Sequence, residues 1–353
     1  MTIDHKSRTL LFPNIGKFSM VIFALLLIIS GIRAFEIFGF IFKENVKTDQ
    51  VILIPTGSTF DEVENILNKN DVLQNYKAFR WVSKKKEYRE NVRPGRYEIK
   101  KGWNTNQLVN LLRAENQSPV KVTFNNVRNF NELAGKVSAY FEFDSISLAT
   151  ELKNTDLPGK YGFNEVTFPV MFIPNTYEFY WTASPSTFIE RMYAEYQVFW
   201  NTERKEMAEK LSMTPIEVST LASIVQEETI KAEEKPTIAG LYINRLKRGM
   251  LLQADPTIKF AIGDFTVRRI NNQMLETDSP YNTYKYAGLP PGPINFPEVS
   301  TIEAVLNAEQ HSYLYMCARE DFSGFHNFAT RLLQHNLNAA KYRKALNENK
   351  IWK

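Results

Sequence analysis

The sequence predicts an α+β protein carried on a single N-terminal transmembrane helix, with a small α+β unit followed by a larger mixed α/β body. Three observations lead there. A run without any charge extends from Phe18 to Ile32. Short β-branched stretches then alternate with helical periods up to residue 117. Beyond that point helical periods dominate, interrupted by long proline-rich connections.

The apolar run is preceded by Lys6, Arg8 and Lys17, and its continuation to Phe42 is interrupted by Arg33 and Glu36. Spanning a bilayer takes about 20 mostly apolar residues. Residues 18–38 supply them if Arg33 and Glu36 snorkel to the far interface. A basic start and a short apolar core also describe a cleaved signal peptide, but no small-x-small site follows Ser30. An uncleaved anchor is therefore expected. The positive-inside rule makes residues 1–17 a cytoplasmic tail and puts the body outside, in a single-pass arrangement at the cytoplasmic membrane. Cys317 is the only cysteine, so no intramolecular disulfide is available. The net charge of +4 is small and the densest basic run, Lys84–Lys86, is short, so no nucleic-acid partner is expected.

After the anchor, Val51–Ile54 reads as a strand and Pro55–Ser58 as a turn, with Ser58 expected to cap a helix over 59–69. A second helix is predicted over 76–85. A turn and strand follow over 93–99, and a third helix over 107–114 puts Leu108, Leu111 and Leu112 on one face. The polar, turn-forming stretch Glu115–Pro119 separates a first domain, 44–117, from a second, 118–353. The second opens on a strand at Val120–Phe124. Its segment Tyr281–Pro297 is rich in proline and has no helical period, and a long irregular stretch inside a domain is usually functional.

One helix of the second domain stands out. Thr214-Pro-Ile-Glu217 is a capping box with proline at the first helical position. At 100° per residue from Leu221, Val218, Val225 and Ile224 fall at about 60°, 40° and 300°, and Glu228 falls among them at about 340°. Glu227 lies at the edge of that face, at about 240°, and Gln226 toward water, at about 140°. A carboxyl pressed onto an apolar face loses hydration, so its pKa rises and it holds a proton near neutral pH, as a general acid must. The competing reading is an ion pair. In the next helix, expected over 237–248, Arg245 shares a face with Ile238, Tyr242 and Leu246, and pairing with it would lower the Glu228 pKa.

The chain resembles the membrane-bound endolytic murein transglycosylases, the YceG-like family. The matching motifs are Ala222-Ser-Ile-Val-Gln-Glu-Glu-Thr229, Tyr242-Ile-Asn-Arg-Leu246, Leu252-Gln-Ala-Asp-Pro-Thr257 and Ser279-Pro-Tyr-Asn-Thr-Tyr284. Gly288-Leu-Pro-Pro-Gly-Pro-Ile294, Tyr313-Leu-Tyr315, His326-Asn-Phe328 and His335-Asn336 follow in the same order. The resemblance implies that residues 44–117, with Pro55-Thr-Gly57 and Pro94-Gly-Arg-Tyr97, form a LysM-like glycan-binding subdomain and that 118–353 form the catalytic domain. It assigns catalysis to the glutamate directly before the threonine, Glu228. Where family members often carry Glu and Asp, this chain has Gln226 and Asn175.

The implied reaction cuts the MurNAc–GlcNAc β-1,4 bond within a nascent strand without water, leaving a 1,6-anhydro-MurNAc end. One carboxyl suffices, because the nucleophile is the substrate's own 6-hydroxyl. A hydrolase would need a second carboxylate, for which Asp255 is the candidate, and a non-catalytic glycan-binding scaffold is the reading from a different class. Gln253, Asp255, Asn282 and Tyr284 match family motifs and are expected to bind sugar, although Asp255 before Pro256 also suits a turn cap. Tyr177, Tyr180 and Trp181 are candidates for sugar stacking, with core packing the alternative. His326 and His335 lack partners at ligand spacing, so structural hydrogen bonding is expected for them, with no metal or cofactor. Peptidoglycan strands, the membrane and, by resemblance, the penicillin-binding synthases are the expected partners. Glu228 is expected at the floor of a cleft rimmed by Tyr281–Pro297, with a raised pKa and with Arg245 pointing away.

Overall fold

The computed structural model describes residues 15–349 apart from Arg268, so most of the tail expected over 1–17 lies outside the described residues. The chain divides into two packed units. One runs to Pro119 and includes Tyr180–Thr182; the other comprises Val120–Phe179 and the chain from Ala183 onward.

Helix α1 (Ile15–Phe42) opens the first unit, and its stretch Ser19–Phe42, of mean hydropathy 2.3, is long and apolar enough to cross a bilayer. It continues past Phe38 because nothing after that residue breaks the helix. Arg33 and Glu36 meet at 2.8 Å across one turn, which offsets the charge each would otherwise bring into an apolar stretch. Strand β1 (Gln50–Ile54), helices α2 (Phe60–Lys69) and α3 (Tyr76–Lys85), strand β2 (Gly95–Ile99) and helix α4 (Thr105–Arg113) follow. In the antiparallel β1–β2 ribbon, Ile52 faces Tyr97, and alternate residues Ile52, Ile54, Tyr97 and Ile99 enter one core with Val63, Leu67, Phe79 and Leu108. The cap of α2 is Thr59 and not Ser58. A capping box needs Glu or Gln three residues on, and Glu62 returns the bond to the Thr59 N–H at 2.7 Å. The same device, Asn104 with Gln107, starts α4 two residues earlier than the sequence suggests.

In the second unit, strands β3 (Val120–Thr123) and β4 (Thr176–Phe179) pair antiparallel, with helices α5 (Phe130–Ser138), α6 (Ser145–Leu152) and α7 (Leu157–Lys160) between them. Helices α8 (Pro185–Phe199), α9 (Thr202–Lys210), α10 (Pro215–Glu228), α11 (Lys235–Lys247), α12 (Asp255–Ile262), α13 (Asn272–Leu275) and α14 (Val299–Leu306) lead to the ribbon β5 (Tyr315–Ala318) and β6 (His326–Ala329). Helix α15 (Leu332–Glu348) packs on that ribbon. An aromatic core of Phe124, Phe168, Phe172, Phe188 and Phe296 supports β3, β4 and α8. A second core gathers α10, α11 and α14.

The capping box of α10 forms as the sequence indicates, but the helix is not a surface helix. Every side chain from Val218 to Val225 is buried, because α11, α12 and α14 all pack on it. The wheel position of Gln226 therefore misleads. Gln226 does not face water; its Oε1 accepts the Glu298 N–H at 2.7 Å and the Thr301 hydroxyl at 3.3 Å, supplying an acceptor at the start of α14, which has no side-chain cap of its own. The segment 281–297 is irregular, and much of it is tied to α10. The Ile294 N–H donates to Ser223 Oγ at 3.0 Å, and the Asn295 amide donates to the Ser223 carbonyl at 3.1 Å and to Glu227 at 2.9 Å. Gly292 is required there, since a Cβ would lie 2.5 Å from the Val166 carbonyl oxygen.

Candidate active site

Glu228 is the last residue of α10, and its half-buried carboxyl lines a cavity of about 240 Å³. The phenol of Tyr242, on α11, is buried and donates to Glu228 Oε1 at 2.7 Å. Burial pushes the Glu228 carboxyl up to about 7. The Tyr242 hydrogen bond opposes that rise, the Asp255 charge adds to it, and Arg245 and Lys259 oppose it. The negative C-terminal end of α10 works in the same direction as burial. The Tyr242 hydroxyl is itself pushed well up, by burial first and by Glu228 second, so it remains a donor. Glu227 is exposed and accepts from Asn295.

Arg245 makes no ion pair with Glu228. Its Nε donates to the Leu314 carbonyl at 2.6 Å, its guanidinium donates to the Leu252 carbonyl at 2.6 Å, and its plane lies over the Tyr315 ring. This buried fork ties α11 to the loop before α12 and to the approach to β5, two walls of the cavity.

On one wall, Gln253 adopts a left-handed conformation (φ 52°) while its N–H donates to the Thr283 carbonyl at 3.0 Å. Thr283 also accepts from the Ala254 N–H at 3.0 Å, which locks the loop against α12. Asp255, the first residue of α12, makes no cap bond; its carboxylate accepts from the Tyr284 hydroxyl at 2.5 Å. Burial and that carboxylate push the Tyr284 phenol up. Gln253, Asp255 and Tyr284 thus line the Glu228 cavity. Asn282 does not. It is fully buried, its amide donates to the Leu275 and Thr277 carbonyls at 2.8 Å each, and its oxygen accepts the Tyr284 N–H, so it holds the loop that carries Tyr284. The rim expected from Tyr281–Pro297 reduces to Tyr284. The β5–β6 ribbon also lines the cavity, through Met316, Cys317, Ala318 and His326.

Sequence reasoning missed three contributors: Tyr242, His326 and the β5 wall. A phenol on an apolar face needs a partner, and that was the available signal for Tyr242. His326 makes the hydrogen bond expected of it, its Nδ1 meeting Glu234 at 2.9 Å across 92 residues of sequence, but nothing local announces its place in this cavity. His335 stacks on Tyr315. Tyr177 is buried, with its hydroxyl on the Ile173 carbonyl at 2.6 Å, whereas Tyr180 is exposed. Asn175 lies at a separate cleft with Thr123 and Ser300, its side chain on the Thr176 N–H. A larger cavity, about 500 Å³, lies between α9 and α11, but its one histidine, His311, has both ring nitrogens engaged.

A shielded carboxyl with a pKa near neutrality, set in an open polar cavity, has the protonation state and the access that a general acid needs. The chain belongs to the YceG-like family, whose model matches residues 52–341. It is 31% identical over 325 residues to the endolytic murein transglycosylase of Bacillus subtilis, covering 87% of this chain and 88% of that protein. It is 26% identical to the endolytic murein transglycosylase of Streptococcus pneumoniae, covering 84% of this chain but 59% of that longer protein. Among solved structures, a YceG-like protein of Listeria monocytogenes aligns at 27% identity with a TM-score of 0.53, over 82% of this chain and 99% of that one.

Proposed function

We propose that this protein is an endolytic murein transglycosylase that cleaves the MurNAc–GlcNAc β-1,4 bond within glycan strands and leaves 1,6-anhydro-MurNAc ends. The observation that carries the reading is Glu228, a carboxyl that burial holds protonated up to about pH 7 at the wall of an open cavity. It donates its proton to the glycosidic oxygen as the C1–oxygen bond breaks. The carboxylate left behind is stabilised by the Tyr242 hydroxyl on Oε1. It then takes the proton of the MurNAc 6-hydroxyl as that oxygen bonds to C1, which restores the acid without water. Gln253, Asp255 and Tyr284 are assigned to sugar hydroxyls and N-acetyl groups.

Residues 44–117 act, on this reading, as a LysM-like glycan-binding subdomain. The N-terminal helix anchors the protein in the cytoplasmic membrane with its N-terminus inside, where cleavage terminates strands as penicillin-binding synthases extend them. Copurification of a synthase with the full chain, and protection of the N-terminus from external protease, check these two parts.

Product analysis tests the reaction. The detergent-solubilised full chain is expected to release only 1,6-anhydro ends from purified peptidoglycan. Reducing ends would instead make the enzyme a hydrolase using Glu228 with Asp255, and no cleavage at all would leave a glycan-binding scaffold.

A further inference from the structure

His326 lines the Glu228 cavity, and the mechanism above does not use it. Its setting is specific. Glu234, 6% exposed in the turn before α11, receives the His326 N–H on Oε1 at 2.7 Å and His326 Nδ1 on Oε2 at 2.9 Å. The Thr229 hydroxyl, on the residue after Glu228, reaches the same Oε2 at 3.5 Å. One buried carboxylate thus ties the end of α10 to the start of β6.

We propose that His326 is a glycan-contacting residue of this cavity, its Nε2 accepting a hydrogen bond from a sugar hydroxyl or N-acetyl N–H, and that Glu234 is the positioning residue that keeps this nitrogen an acceptor. The inference rests on the glycan-cleaving reading above.

An ionised carboxylate only accepts, so Nδ1 carries the hydrogen in that contact, and in the neutral ring Nε2 is then bare. Nε2 has no protein partner among the described residues. If the pair served only to fasten β6, the backbone bond to Oε1 would do so alone; the second bond fixes the ring's rotation and its tautomer. The surroundings suit a sugar. Gln253, Asp255 and Tyr284 come from α12 and the segments beside it, Glu228 from the end of α10 and His326 from the β5–β6 ribbon, so hydrogen-bonding groups from three parts of the chain line one cavity.

The test measures binding and not turnover. The full chain bearing Glu228→Gln is titrated with purified, peptide-free glycan strands, and Kd is compared after adding His326→Ala, His326→Gln or Glu234→Gln. His326→Ala is expected to weaken binding roughly five- to tenfold, the worth of one hydrogen bond. His326→Gln, whose amide oxygen reaches the Nε2 position, is expected to recover most of that loss. Glu234→Gln removes no group from the cavity but can donate to Nδ1, which drives the hydrogen onto Nε2. It is expected to weaken binding as much as His326→Ala does, with ring ¹⁵N shifts reporting the changed tautomer. An unchanged Kd for His326→Ala, no recovery by His326→Gln, or a hydrogen already on Nε2 in the parent would each overturn the proposal. Absence of glycan binding by the Glu228→Gln parent would remove the glycan reading itself, a result distinct from the other three.

Discussion

The Tyr242 phenol donates to Glu228 Oε1 at 2.7 Å, so one oxygen of the acid is held by the protein and the other is left to the cavity. This hydrogen bond favours the carboxylate and opposes the burial that raises its pKa to about 7. Tyr242→Phe should therefore raise the Glu228 pKa further and move the alkaline limb of the pH–rate profile to higher pH by roughly one unit. At the optimum, kcat should fall several-fold while KM changes little, because the lost bond matters most to the carboxylate formed during the reaction. An alkaline limb that stays in place would mean that Tyr242 does not hold the acid.

The same pKa predicts how stability varies with pH. Glu228 has a folded-state pKa of about 7 against an ordinary 4.5, so between those values the folded state binds the proton that the unfolded chain has lost. Its contribution is favourable below pH 4.5 and disappears as pH rises through 7. Glu228→Gln keeps the Tyr242 partner and has no charge to bury. At pH 8 it should be more stable than wild type by roughly 2 kcal/mol, after allowance for the part of the carboxyl that water reaches, and the difference should vanish near pH 4. Urea titrations at the two pH values measure this. Equal stability at pH 8 would show that Glu228 ionises without penalty.

Arg245 should be irreplaceable by lysine. Its guanidinium divides its donors between the Leu314 and Leu252 carbonyls from a position that is 8% exposed. A lysine ammonium cannot reproduce that planar fork and would leave a buried carbonyl unpaired. Arg245→Lys should cost about 2–3 kcal/mol and loosen both loops that wall the cavity, lowering kcat/KM more than stability alone explains. Denaturation midpoints and kinetics measured on one preparation decide it.

Cys317 sits in the β5 wall of the cavity. Burial pushes its thiol pKa up, so alkylation should be slow at neutral pH and faster as pH rises. A bulky maleimide should then abolish cleavage, and Cys317→Ser should be active and resistant to the reagent. Full activity after complete labelling would place the glycan elsewhere.

Much of this protein is legible in short windows of sequence. The long apolar N-terminal helix, the strand at Val51–Ile54, the helix at 76–85 and the capping box at Thr214–Glu217 rest on interactions between residues a few positions apart. The angular separation of Glu228 from Glu227 is local too, since it depends only on helical pitch. The small errors are also local in cause: Thr59 displaced Ser58 as a cap because Glu62 stands three residues from Thr59.

What the sequence alone could not determine is which surfaces face one another. The wheel turned Gln226 toward water, but a third helix, α14, packs there and takes its amide oxygen. Arg245 shares a helix face with Tyr242, and only the packing decides that the phenol reaches Glu228 while the guanidinium goes to backbone carbonyls. Asn282 fits a sugar-binding motif as a residue type, but its burial gives both its donors to its own loop. Glu234 and His326 are 92 residues apart and meet because β6 pairs with β5 beside the end of α10. Helical pitch and caps depend on the chain near each residue. Desolvation, and with it the raised pKa of Glu228, depends on what distant segments bring to cover it.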